Sequence, residues 1–188
     1  YGIIYSGLYN SQSGVNDLNQ FRSAEKITKD INPTYGSIQK LFTRRTSLVT
    51  FCEDRVVRIT SDKDKLYNVK FVDHMGNTPE TVLGDAQPFI GDFGIGKNPE
   101  SFASESYRAY FTDKKRGSVL RLSKDGLTPI SDSGMNDWFN DNLKLGNTIL
   151  GSYDDDKLEY NLTIKTDNPE TTKTISYSEA VSGWVSFK

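Results

Sequence analysis

Three carboxylates stand side by side at Asp154-Asp155-Asp156, and two more flank a lysine at Asp62-Lys63-Asp64. Clustered carboxylates suggest calcium, a hard cation that takes oxygen ligands at set offsets around a sharp, usually glycine-built bend. Neither run supplies that frame, so both read as solvated turns and no metal ligand is assigned. His74 is the one histidine and Cys52 the one cysteine. Far apart in the chain, they are poor material for a nucleophilic triad or a histidine-rich metal site. Cys52 lies within an apolar strand-like run, as a small core residue does, and His74 reads as a loop residue. Gly91-Asp92-Phe93-Gly94-Ile95-Gly96-Lys97 is glycine-rich, but it lacks phosphate-loop spacing and continues into Asn98-Pro99 instead of a helix. Lys114-Lys115-Arg116 is a basic tip able to touch phosphate, yet such a cluster at a turn reads as a solvated hairpin end. Asn161-Leu162-Thr163 fits the glycosylation sequon, with no sign of secretion to give it weight. No catalytic residue, cofactor-binding residue or metal site is assigned.

Ser131-Asp132-Ser133-Gly134 with Trp138 resembles the Asp-box of sialidase propellers, Ser-x-Asp-x-Gly-x-x-Trp. The match fails at Ile130, where the motif wants Ser, and again at Trp138, which arrives one residue late. A helix over 133–143 explains the same residues better. Ser133 can cap its start, while Met135, Trp138, Phe139 and Leu143 share one face at helical spacing.

The elements that must hold these residues are mostly short strands. The chain has 188 residues, 35% of them apolar, with ten Tyr and ten Phe. That mix suits antiparallel strands with one wet face. Lys and Arg number 23 against 25 Asp and Glu, a net charge of −2 that gives no global basic field for nucleic acid. One cysteine rules out an internal disulfide framework, and no apolar run approaches the roughly 20 residues of a membrane span. Tyr1 in place of Met and the strand-like finish at Trp184-Val185-Ser186-Phe187 suggest a piece of a longer polypeptide.

Residues 1–36 read as an irregular N-terminal segment, with a helical turn or two over Ala24–Ile31 stopped by Asn32-Pro33. Residues 37–188 read as β-meanders. Strands are expected at Ile38–Thr43, Ser47–Cys52, Arg55–Thr60 and Leu66–Val72, then Arg108–Thr112, Ser118–Ser123 and Leu127–Ser131. A last set follows at Thr148–Tyr153, Leu158–Ile164 and Thr172–Ser178. Between the first two sets, 76–99 is broken by Pro and Gly and reads as a surface-crossing loop. An aromatic strand, an Asp-led turn and an alternating strand recur with Asp54, Asp113 and Asp154 at the turns. A unit of about 40–50 residues holding some four short strands is what a β-propeller blade requires. The expected fold is therefore all-β and propeller-like, partial or complete, with one short helix; a sandwich of the same meanders remains open.

Three stretches carry a resemblance: Tyr5-Ser6-Gly7-Leu8-Tyr9-Asn10 through Tyr35-Gly36-Ser37-Ile38; Asn98-Pro99-Glu100-Ser101-Phe102-Ala103 through Tyr110–Ser123; and Gly151-Ser152-Tyr153-Asp154 to Gly183–Phe187. Together they resemble large virion structural proteins of tailed bacteriophages, including crAss-like and short-tailed phages, whose hub and nozzle proteins contain propeller-like domains. The resemblance implies a non-enzymatic block in the virion tail, made in the bacterial host cytoplasm. Its implied partners are other virion tail proteins and further copies in a homo-oligomeric ring, with DNA passing transiently and no membrane or cofactor involved. Trp138, Phe139 and Trp184 are the aromatics to watch at interfaces, with core filling as the plainer role. A propeller face that binds a host-surface glycan or protein is the alternative function, and a glycosidase-like propeller the third.

Overall fold

A computed structural model describes residues 1–7, 9, 13–22, 27–44, 47–61 and 83–187. The expected strand Leu66–Val72, the Asp62-Lys63-Asp64 turn and His74 lie outside these residues, as do positions 24–26 of the expected N-terminal helix. Among the described residues the chain is mostly β, with one short α-helix and four antiparallel sheets of two to four strands. They close into neither a barrel nor a ring.

Residues 1–36 hold more order than the sequence suggests. Strands β1 (Gly2–Ile4) and β2 (Thr28–Asp30) form a two-stranded ribbon, with Ile3 opposite Lys29. Thr28–Asp30 is thus extended, not helical. Burying Ile3 and Ile31 against the first large sheet outweighs the weak local helical preference.

Three four-stranded meanders follow, each in strict chain order. Sheet I contains β3 (Ile38–Arg44), β4 (Ser47–Cys52), β5 (Val56–Thr60) and β6 (Ala86–Pro88). Sheet II contains β7 (Ala103–Ser104), β8 (Ala109–Asp113), β9 (Ser118–Ser123) and β10 (Gly126–Pro129). Sheet III contains β11 (Thr148–Asp154), β12 (Glu159–Lys165), β13 (Lys173–Ser178) and β14 (Gly183–Phe187). The short strands β6 and β7 escape the sequence pattern. Pro88 ends β6 on the outer edge of sheet I, where a missing N–H costs no ladder bond.

The sheets stack face to face along the chain. β8 is buried throughout, and its adjacent residues Tyr110 and Phe111 face opposite ways. Phe111 packs on Phe51 of sheet I, with ring centroids 5.1 Å apart, while Tyr110 stacks on Tyr160 of sheet III at 5.0 Å. Sheet I turns its other face, with Cys52, Val57 and Ile59, toward the N-terminal ribbon. On the other face of sheet III the half-buried Asn161, Thr163 and Thr174 and the fully buried Ser176 replace the apolar residues. Ser176 donates to Asn161 Oδ1 at 2.6 Å, and the Thr163 and Thr174 hydroxyls lie 2.9 Å apart.

The second strands β4, β8 and β12 run in the same sense, so the turns fall into two groups at opposite ends of the stack. Asp54 and Asp113 follow second strands. Asp154 follows β11, a first strand, and lies at the other end. The in-phase counterpart in sheet III is the Thr166–Thr172 turn, which carries a 3-10 helix at Pro169–Thr171. The repeat in the sequence thus joins two equivalent turns to a third that only looks alike.

Connections between sheets fill the wedges where outer strands diverge. After sheet I, Phe93 and Ile95 enter the space below sheet II. After sheet II, helix α1 (Asn136–Leu145) buries Phe139 and Leu143 against sheets II and III. The helix begins at Asn136, with Met135 and not Ser133 in the N-cap position, and no side chain caps it. Gly134 takes φ +83, which turns the chain before helical geometry starts and leaves Ser133 outside it.

Candidate functional site

Hairpins at one end of the stack bring the arginines together. The β3–β4 hairpin supplies Arg44, β5 supplies Arg58, and the β7–β8 loop supplies Arg108; Arg121 and Lys124 come from β9 and its following turn. These five cations, with Asp125 as the one lining acid among the described residues, surround a cleft of about 610 Å³ that opens over sheets I and II. Phe42, Phe89 and the exposed Tyr107 give it aromatic walls. None of the five was singled out from sequence. Each sits alone in its strand or loop, and only the meander topology brings residues so distant in the chain together.

Arg44 ties the two sheets by donating to Ser123 O at 2.8 Å and to Tyr107 O at 3.4 Å. Arg58 donates to the neutral Gln87 at 3.2 Å. Arg108 and Arg121 are held differently. Glu179, on the β13–β14 turn, accepts from Arg121 at 2.8 Å and from Tyr110 Oη at 2.8 Å, and lies 3.8 Å from Arg108 Nε. Glu105 accepts from Arg108 at 2.5 Å. Arg121 Nε is buried without a hydrogen-bond acceptor among the described residues.

A tyrosine on a glutamate beside two arginines invites a nucleophile reading, but its environment opposes it. Tyr110 is fully buried, and burial, followed by its hydrogen bond to Glu179, pushes its pKa upward. A nucleophilic phenol needs the reverse shift and access to substrate. Tyr160, also fully buried, donates to Ser101 O at 2.7 Å and is pushed the same way by burial. Both phenols act as buried hydrogen-bond donors. Burial likewise pushes the Cys52 thiol up to about 11, which makes it a poor nucleophile.

The other features noted in the sequence serve local structure. Asp154 Oδ1 accepts from the backbone N–H of Asp156 and Lys157 at 3.1 and 3.0 Å, so the acidic run caps its own turn. The basic tip is tied inward: Lys115 reaches Asp54 at 2.9 Å, and Arg116 reaches the buried Asp113 at 2.7 Å. Lys114 donates to Gly146 O at 2.7 Å. In the glycine-rich stretch, Gly94 donates its N–H to Asp113 at 3.1 Å and lies against the Glu53 carbonyl, where a Cβ would come within 2.1 Å. Asp132 accepts from Asn136 at 2.8 Å beside the helix start. Phe139 is fully buried, Trp184 donates to Ile130 O at 3.2 Å, and Trp138 packs edge-on against Phe139 and Phe187. Of the three aromatics singled out from sequence, Phe139 fills the wedge around α1, and Trp138 and Trp184 pack against it while staying partly exposed.

In comparison with known proteins, no family model matches this chain, and no curated protein matches it. Its function has to be argued from the fold and the cleft.

Proposed function

We propose that this chain is a non-enzymatic structural block, a propeller-like segment of a bacteriophage tail subunit of hub or nozzle type. The observation that carries the reading is the phasing of the three meanders. Their second strands run in one sense, Phe51, Phe111, Tyr110 and Tyr160 join them in series, and a connecting segment wedges each outer gap. Repetition of that kind is how propeller blades are arranged. It supports a stiff element whose edges and end faces are available to neighbouring copies or other tail proteins. The phage setting itself rests on the resemblance in sequence. The buried ion pairs and phenols suit such a block, because they fix geometry and leave no activated nucleophile among the described groups.

Electron microscopy of the full-length parent protein, with light scattering for its mass, tests this reading. A closed ring with a central hole supports a hub or nozzle subunit. A stable monomer that stays monomeric with its tail neighbours present sinks it. A second reading, a module that binds a surface ligand, is favoured by the cationic cleft.

A further inference from the structure

We propose that the cleft over sheets I and II is a binding site for a sugar unit bearing an oxyanion, either phosphate or carboxylate. The inference rests on the binding-module reading and adds the chemical class of ligand. Among the described residues, five cationic side chains line the cleft against one lining acid. Glu105 and Glu179 pair with Arg108 and Arg121, and among the described residues the cations at the cleft outnumber the acids. Lys124 forms no ion pair among the described residues, and the hydrogen-bond partner of Arg58 is the neutral Gln87. Arg121 Nε adds a buried donor that still lacks an acceptor. Guanidinium groups match the planar fork of carboxylate and phosphate oxygens, and such charge-assisted bonds are the stronger ones.

The rest of the lining suits a sugar better than a bare ion. Phe89 and Tyr107 offer ring faces for the C–H side of a pyranose, while Ser47, Ser106 and Ser123 offer polar groups for its hydroxyls. A volume of about 610 Å³ lies in the range of small-ligand pockets, usually roughly 300–1,000 Å³. A nucleic-acid strand is less well served. It needs cations continued along a track, whereas these crowd into one depression on a chain of net charge −2.

The test is titration of the protein, followed by calorimetry and by backbone amide shifts of 106–108 and 123–125. The probes are glucose 6-phosphate, glucuronate, glucose, inorganic phosphate and a twelve-residue oligothymidylate. At least one of the two charged sugars should bind about 10-fold or more tightly than glucose and than inorganic phosphate, with shifts at those amides. Preference between the two identifies phosphate or carboxylate as the source of charge. Arg58→Gln and Lys124→Gln should each weaken that binding about 5–10-fold, with an unchanged denaturant midpoint showing that the fold is intact. Glucose binding as tightly as the charged sugars overturns the anion inference and leaves the binding module standing. Inorganic phosphate binding equally well, or tighter binding of the oligonucleotide through the same amides, overturns the sugar assignment. Absence of binding by every probe overturns both the inference and the reading beneath it.

Discussion

Two aromatic seams join the three large sheets, and they are built from different residues. Between sheets I and II the seam is phenylalanine: Phe51 meets Phe102 and Phe111 edge-on, and Phe102 meets Phe42. Between sheets II and III it is tyrosine: Tyr110 lies nearly parallel to Tyr153 and Tyr160, with interplanar angles of 12° and 14°. The Tyr110-Phe111 dipeptide on β8 contributes to both, because consecutive strand residues face opposite ways. The polar ends of the tyrosines then have to be satisfied, and Glu179 and Ser101 do this, closing the seam. Phenylalanines make no such demand. Above the phenylalanine seam the space stays open and is lined by arginines. One seam is sealed by its hydrogen bonds, while the other leaves room for a ligand.

The contrast breaks most visibly at the filling of the sealed side. Phe139 is fully buried beside Trp184, with ring centroids 4.6 Å apart. Phe139→Ala should cost about 3–5 kcal/mol in chemical denaturation, by lost transfer energy and the cavity left behind. Phe89→Ala, at the half-buried wall of the open cleft, should cost clearly less. Equal losses would show that the cleft wall carries as much of the core as the helix does.

A glycine in each seam gives a matched pair of smaller effects. A Cβ on Gly151 would lie 2.0 Å from Ser101 O, and one on Gly94 would lie 2.1 Å from Glu53 O. Both obstacles are backbone and cannot swing aside. Gly151→Ala and Gly94→Ala should each destabilise by about 1–3 kcal/mol, the usual cost of overpacking. A loss confined to Gly151→Ala would mean that the open seam can spread, sharpening the distinction.

The sequence made the long strands legible because alternation and turn residues mark them. Ser47–Cys52 and Ser118–Ser123 match the observed strands residue for residue. β6 and β7 were not legible. Two or three residues carry no periodicity, and pairing with β5 and β8 is what makes them strands. Phasing was hidden for a related reason: Asp54, Asp113 and Asp154 look alike locally, and only stacking shows that the third belongs to the opposite end. Of the candidate site almost nothing could be read. Arg44, Arg58, Arg108, Arg121 and Lys124 are unremarkable where they stand, and Glu179 meets Arg121 across 58 residues. Trp138, Phe139 and Trp184 were legible as large aromatics of consequence; Phe139 is fully buried, while Trp138 and Trp184 pack against the core and stay partly exposed.

The gentlest test of the two seams uses pH. Burial raises the pKa of Tyr110 and Tyr160 above the ordinary value of 10.0, and Glu179 reinforces the shift at Tyr110. A group whose folded pKa is raised contributes its full stability below the unfolded pKa and loses it as pH climbs beyond. Stability should therefore begin to fall near pH 9, where the unfolded chain releases the Cys52 thiol proton that burial retains up to about 11, and fall more steeply above about pH 10, where the unfolded chain also releases phenolic protons that the folded one retains. Each such tyrosine contributes a slope of about 1.4 kcal/mol per pH unit until its folded pKa is reached. The phenylalanine seam has no proton to release, but the buried Cys52 thiol and Tyr5, on the far face of sheet I, also hold their protons longer when folded, so the share of the sealed seam is read from its own variants. Tyr110→Phe should flatten the fall by one tyrosine's share in denaturant titrations above pH 10, after an initial cost for the hydrogen bond lost to Glu179, which keeps Arg121 as a partner. An unaltered slope in that variant would mean that the Tyr110 hydroxyl ionises freely in the folded chain, and that the tyrosine seam is no more sealed than its neighbour.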